Sequence, residues 1–96
     1  MAYEKIDSIL QSWAASLNLC IFNQFGGQER RFLYITNSKN DCYQIDIEDE
    51  ENSEFRISIY FVDGDSAKEG YELHIPTSID GLSKDLHEVY KTILSL

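Results

Sequence analysis

The sequence predicts a two-layer α+β sandwich: a five-stranded antiparallel meander with an N-terminal and a C-terminal helix on one face. Three observations predict it. Phe55–Val62, FRISIYFV, alternates Phe55, Ile57, Ile59 and Phe61 with Arg56, Ser58, Tyr60 and Val62, the period of two of a strand with one face in a core. Residues 2–17 and 78–94 place apolar side chains three and four apart, the period of an amphipathic helix. The strand-like runs between them are joined by short connections, which favours antiparallel neighbours, and two helices suffice to cover one sheet face. At 96 residues the chain has room for one core and one domain.

The first helix carries Tyr3, Ile6, Ile9, Leu10, Trp13 and Leu17 on its apolar stripe, with Trp13 as the largest core anchor, and Glu4 and Asp7 in the early turns, where the helix dipole favours anions. Leu19–Phe25 alternates loosely as a first strand. Gly26-Gly27 then marks a hairpin turn into Arg31–Thr36. Asn37–Asp41, NSKND, is a turn of residues that tolerate positive φ or bond their own backbone. Cys42–Glu48 is a third strand with Tyr43, Ile45 and Ile47 on one face and Gln44, Asp46 and Glu48 on the other. Asp49–Glu54 forms an acidic turn into Phe55–Val62, and Asp63–Gly70 a flexible connection out of it. Tyr71–Ile75 is a fifth strand with Tyr71, Leu73 and Ile75 inward and Glu72 and His74 outward; Pro76 is expected to end it, because proline cannot donate to a ladder. The last helix carries Ile79, Leu82, Leu86, Val89, Tyr90 and Ile93, with Ser78 and Asp80 as candidate caps and Gly81 in its first turn.

Composition bounds the function. The net charge is −9, from 17 acids against eight lysines and arginines. Such a field repels nucleic acid and anionic lipid and favours a basic protein partner. No apolar run approaches the length of a membrane span, and MAYEKIDSI puts acids where a signal peptide needs a basic start, which points to a cytoplasmic chain. Cys20 and Cys42 are too few for a disulfide framework or a zinc site, and on strands one and three they would stand roughly 10 Å apart, beyond bridging distance. Both are expected as free thiols. There is no GxGxxG, GxxxxGK[ST], CxxC or HExxH, Asp49-Glu50-Glu51 and Asp63-Gly64-Asp65 lack the ligand pattern of a calcium loop, and neither His74 nor His87 has a nucleophile that sequence can place beside it. No cofactor, metal or catalytic residue is expected.

The uncovered sheet face is where function is expected. With Leu33 and Ile35 inward, Phe32, Tyr34 and Thr36 point outward beside Arg56, Ser58 and Tyr60, and Cys20, Phe22, Gln44, Asp46 and His74 join them. Tyrosine, arginine and apolar anchors are the types enriched in protein interfaces. Asp41–Glu54 adds seven acids and no base, an electrostatic handle for a cationic partner. The candidate partner-binding residues are accordingly Phe32, Tyr34, Arg56 and Tyr60 on the face, with Asp46, Glu48, Asp49, Glu50 and Glu51 at its edge.

The layout of helix, meander and helix, with MAYEKIDSILQSWAASL at one end and DGLSKDLHEVYKTILSL at the other, together with the acidity, resembles that of small bacterial immunity proteins, which inhibit cationic toxins. The likeness spans the chain, rests on layout and charge, and assigns no residue a role. It implies a protein-binding inhibitor, monomeric or homodimeric. Acidic secretion chaperones, also small α+β proteins and typically dimeric, are similar in charge, although this chain is shorter and its sheet less interrupted by helix. A homodimeric structural or regulatory module built on the open face is the other class of reading.

Overall fold

The computed structural model describes residues 2–50, 54–64 and 70–96. Among them, the helices α1 (Asp7–Ser16) and α2 (Leu82–Ser95) flank the strands β1 (Phe22–Phe25), β2 (Gln28–Thr36), β3 (Cys42–Asp49), β4 (Glu54–Asp63) and β5 (Glu72–Ser78). The strands form one antiparallel sheet in the order β1-β2-β3-β4-β5, the meander expected from the short connections.

The core lies between one sheet face and both helices. Leu33 and Ile35 of β2, Tyr43, Ile45 and Ile47 of β3, and Phe55, Ile57 and Ile59 of β4 are buried against Ile6, Leu10, Trp13 and Ala14 from the N-terminal helix and Leu82, Leu86, Val89 and Ile93 from α2. Trp13 takes its expected core place, edge-on to Tyr90 with ring centroids 6.4 Å apart. Phe61 lies at the margin rather than the middle and is only partly buried.

The starts of both helices depart from the sequence expectation, while the first helix ends where expected, with Leu17 as its C-cap. Ala2–Lys5 is a separate 3-10 turn, and α1 begins after Ile6, which contributes no side-chain cap. At the other end Asn18 adopts φ 57°, Asn18 N–H donates to the Ala15 carbonyl, and Leu19 N–H donates to that of Ala14. This is a Schellman ending with asparagine at the left-handed position. It turns the chain so that Leu19 and Ile21 pack on the core margin and the first strand starts only at Phe22. The last helix starts at Leu82, later than the expected Ser78; Ser78 Oγ instead accepts from Gly81 N–H in the turn before it.

Pro76 does not end the fifth strand, which continues to Ser78 with Pro76 opposite Arg56. The reason is position: β5 is an edge strand, where alternate N–H groups face away from the sheet and a missing donor costs no ladder bond. The same edge position leaves the inward Leu73 exposed rather than buried.

Two polar anchors tie the layers together. Arg31, buried on the core side, donates to both carboxylate oxygens of Asp7 at 2.7 and 3.1 Å and to Glu29 at 2.9 Å, and its guanidinium lies 4.8 Å from the centre of the Tyr3 ring. Hydrogen bonds to Asp7 and Glu29 outweigh burial and raise its affinity for the proton, so its charge is fixed. Asn37 accepts from Lys39 and Asp41 N–H through Oδ1, and its Nδ2 donates to the Ile93 carbonyl, so the β2–β3 turn is stitched to the C-terminus of α2.

Candidate functional site

The sheet face opposite the helices carries the outward side chains in cross-strand rows. One row runs Phe22, Phe32, Asp46, Ser58, His74 across all five strands; the next runs Tyr34, Gln44, Tyr60, Glu72; a third holds Glu48, Arg56 and Pro76. Such neighbours stand about 5 Å apart and interact directly.

At the β1–β2 end the face is aromatic. Phe32 is buried beneath Phe22, which stacks on it with centroids 5.1 Å apart, and is met edge-on by Tyr34 at 5.9 Å and Phe25 at 6.3 Å. Phe22, Phe25 and Tyr34 are themselves 45%, 66% and 40% exposed. Residues three apart on a regular strand face opposite ways, yet Phe22 and Phe25 both touch Phe32. The register slips between Phe22 and Gln24, so that Arg30 and Arg31 stand against Asn23 alone, and the slip carries Phe25 to the outer face. Arg31 Nη1 donates to the Asn23 carbonyl at 3.3 Å. Gly26 and Gly27, at φ 60° and 82°, form the tight turn that two consecutive positive-φ residues allow. Phe25, Phe32, Tyr34, Arg30 and Gln44 line a cleft of about 80 Å³.

At the β3–β5 end the face is a polar chain. Arg30 pairs with Asp46 at 2.7 Å, and Gln44 Nε2 donates to the other oxygen of Asp46 at 2.8 Å. Arg56 donates to Glu48 and lies 3.3 Å from Glu50. Ser58 Oγ lies 2.7 Å from His74 Nδ1, and His74 Nε2 lies 2.9 Å from Glu72 Oε1. Burial alone would raise the Glu48 carboxyl, but hydrogen bonds from Arg56 and Ser58 and the charges of Arg56 and His74 outweigh it and hold Glu48 below the ordinary carboxylate range. A depressed folded-state value stabilises the fold above the unfolded value, near 4.3–4.5, and that contribution is lost as pH falls through the folded value. Glu48→Gln is therefore expected to melt a few degrees below the parent at pH 6, with the gap closing by pH 3; a gap independent of pH would contradict the assignment.

Ser58, His74 and Glu72 have the residue types of a nucleophilic relay, with the ring nitrogens in the opposite roles to those of a serine hydrolase. Residue spacing alone places no nucleophile beside His74; the β4–β5 register puts Ser58 directly opposite it. Ser58, however, has no exposed surface, and the Glu48 carboxylate competes with the ring for its single proton. A buried oxygen beside a carboxylate neither reaches a substrate nor stabilises developing negative charge; Ser58 and His74 form a cross-strand polar pair, to which Glu72 is joined along β5.

The candidate residues thus sort themselves. Phe32, Tyr34, Arg56 and Tyr60 do share the outer face, with Phe32 as the buried base of the aromatic cluster. Asp46 is buried and paired rather than a free edge charge, Glu48 and Glu50 flank Arg56, and Asp49 is exposed at the end of β3. Glu51 lies outside the described residues. Asp41 is buried beside the β2–β3 turn, so the acidic segment is not a uniformly solvated handle. Cys20 lies in the link before β1 and off the sheet; it and Cys42 are free thiols. Among the described residues, no group of three or more potential ligands could hold a metal ion and no helix is long and apolar enough to cross a membrane. Set against protein-family models, curated proteins and solved structures, the chain gives no significant match in any of the three.

Proposed function

We propose that this chain is a non-enzymatic protein-binding module that engages a basic partner through its open sheet face, as an immunity-type inhibitor engages a toxin. The observation that carries the reading is the set of exposed rings, Phe22, Phe25 and Tyr34, held around buried Phe32 on a hydrogen-bonded sheet. Aromatic side chains fixed in advance lose little entropy on association and are the types that dominate interface energetics. Arg30 and Arg56 are already neutralised within the face, so the net charge of −9 is left to attract a cation-rich partner in the cytoplasm. The partner's association rate is expected to fall at least about tenfold between low and high salt, with dissociation changing far less. Arg56→Ala and Tyr60→Ala should each weaken the complex while leaving the fold intact. A salt-independent association rate, or unchanged affinity in both variants, overturns the reading. The same exposed rings favour one rival, a homodimer through this face, which light scattering would show as a doubled mass with the partner site hidden.

A further inference from the structure

The two edges of the sheet are unlike. The β5 edge carries Glu72, His74 and Pro76, the charges and proline that keep an edge from pairing with another strand. The β1 edge, FNQF, carries neither charge nor proline, and all four of its residues are exposed. Along any edge strand, alternate N–H and C=O groups point away from the sheet and await a partner. At β1 these open backbone positions adjoin the exposed rings of Phe22 and Phe25 and the cleft of about 80 Å³ between Phe25, Phe32 and Tyr34.

We infer that β1 is the site where an extended, lysine- or arginine-bearing segment of a partner protein adds as a sixth strand. Strand addition takes its affinity from main-chain hydrogen bonds and its specificity from pockets that receive alternate side chains. Here the added segment runs alongside Phe22–Phe25, one apolar side chain reaching the cleft beside Phe25, while its basic residues meet an acidic molecule. Charge decides the occupant. On the outer face Arg30 and Arg56 are ion-paired with Asp46 and Glu48, Glu54 and Glu72 add further carboxylates on β4 and β5, and a second copy would bring a second charge of −9 against the first. This inference rests on the open-face reading and specifies how the partner is held.

The test uses a capped alternating lysine–phenylalanine peptide of about nine residues, ample to span β1 at ~3.4 Å per residue. Hydrogen exchange by NMR on the full chain should show the slowing concentrated in Phe22–Phe25, by at least about tenfold at saturation. A peptide of the same sequence N-methylated at alternate amides should bind at least about tenfold more weakly, because it cannot complete the ladder. Replacing its lysines with glutamate should abolish binding at low salt. Equal affinity of the N-methylated peptide, protection confined to β3–β5, or no binding of the lysine peptide overturns strand addition. None of these touches the open-face reading, which fails instead on the salt-independence of the partner's association or on unchanged affinity in the Arg56 and Tyr60 variants.

Discussion

Ile57→Ala should remove about 2–5 kcal/mol of stability, the range for truncating a fully buried aliphatic side chain that leaves a cavity. Ile57 has no exposed surface. It sits mid-strand in β4, opposite Ile47 on one side and Ile75 on the other, so the surrounding sheet is tied by hydrogen bonds and cannot collapse into the space. A chain of this length holds only about 5–15 kcal/mol in all, and each kcal/mol moves the melting temperature by roughly 4–8 °C. A drop of roughly 8–40 °C is therefore expected from thermal unfolding followed by circular dichroism. Leu86→Ala, on the facing helix and also fully buried, should lose a similar amount. A shift near zero in either variant would mean that the sheet and α2 do not share the core described.

The burial that makes Ile57 sensitive to truncation also makes its strand legible in the sequence. Its alternation survives because β4 is central, paired on both sides and buried on one face, so burial and pattern agree. Where another force competes with pattern, structure and sequence pattern part. Leu19 and Ile21 carry the alternation expected of a strand from Leu19, but the left-handed turn at Asn18 directs them onto the core margin and postpones the strand to Phe22. Pro76 terminates a strand that has two neighbours, but the meander expected from the short connections already makes the fifth strand an edge, where proline is tolerated. Phe25 could not be placed on the outer face by parity at all, because a one-residue slip against β2 depends on which backbone groups pair. The Ser58–His74 contact was recoverable in principle, since a meander of fixed register puts them opposite each other, but register follows from the β4–β5 connection, whose length alone does not set it.

These two kinds of residue give variants with opposite signatures, and the face can be tested by that contrast. Replacing Phe22 and Phe25 together with serine should lower partner affinity by about 100-fold or more, since exposed aromatic anchors that become buried on binding commonly contribute 2 kcal/mol or more each. The same change should cost the fold only modestly. Phe22 and Phe25 are 45% and 66% exposed in the free chain, and what is lost is their ring contacts with Phe32 and Tyr34, on the order of 1 kcal/mol each. The core residues predict the reverse, a large stability loss and binding that recovers wherever the variant is folded. Isothermal titration with the basic partner, paired with thermal melts of the same samples, separates the two. Affinity within twofold of the parent would show that the aromatic cluster is only a sheet-stabilising contact and that the partner, if bound at all, sits elsewhere. A large stability loss would show instead that Phe22 and Phe25 act as a small outer core over Phe32, which their exposure argues against.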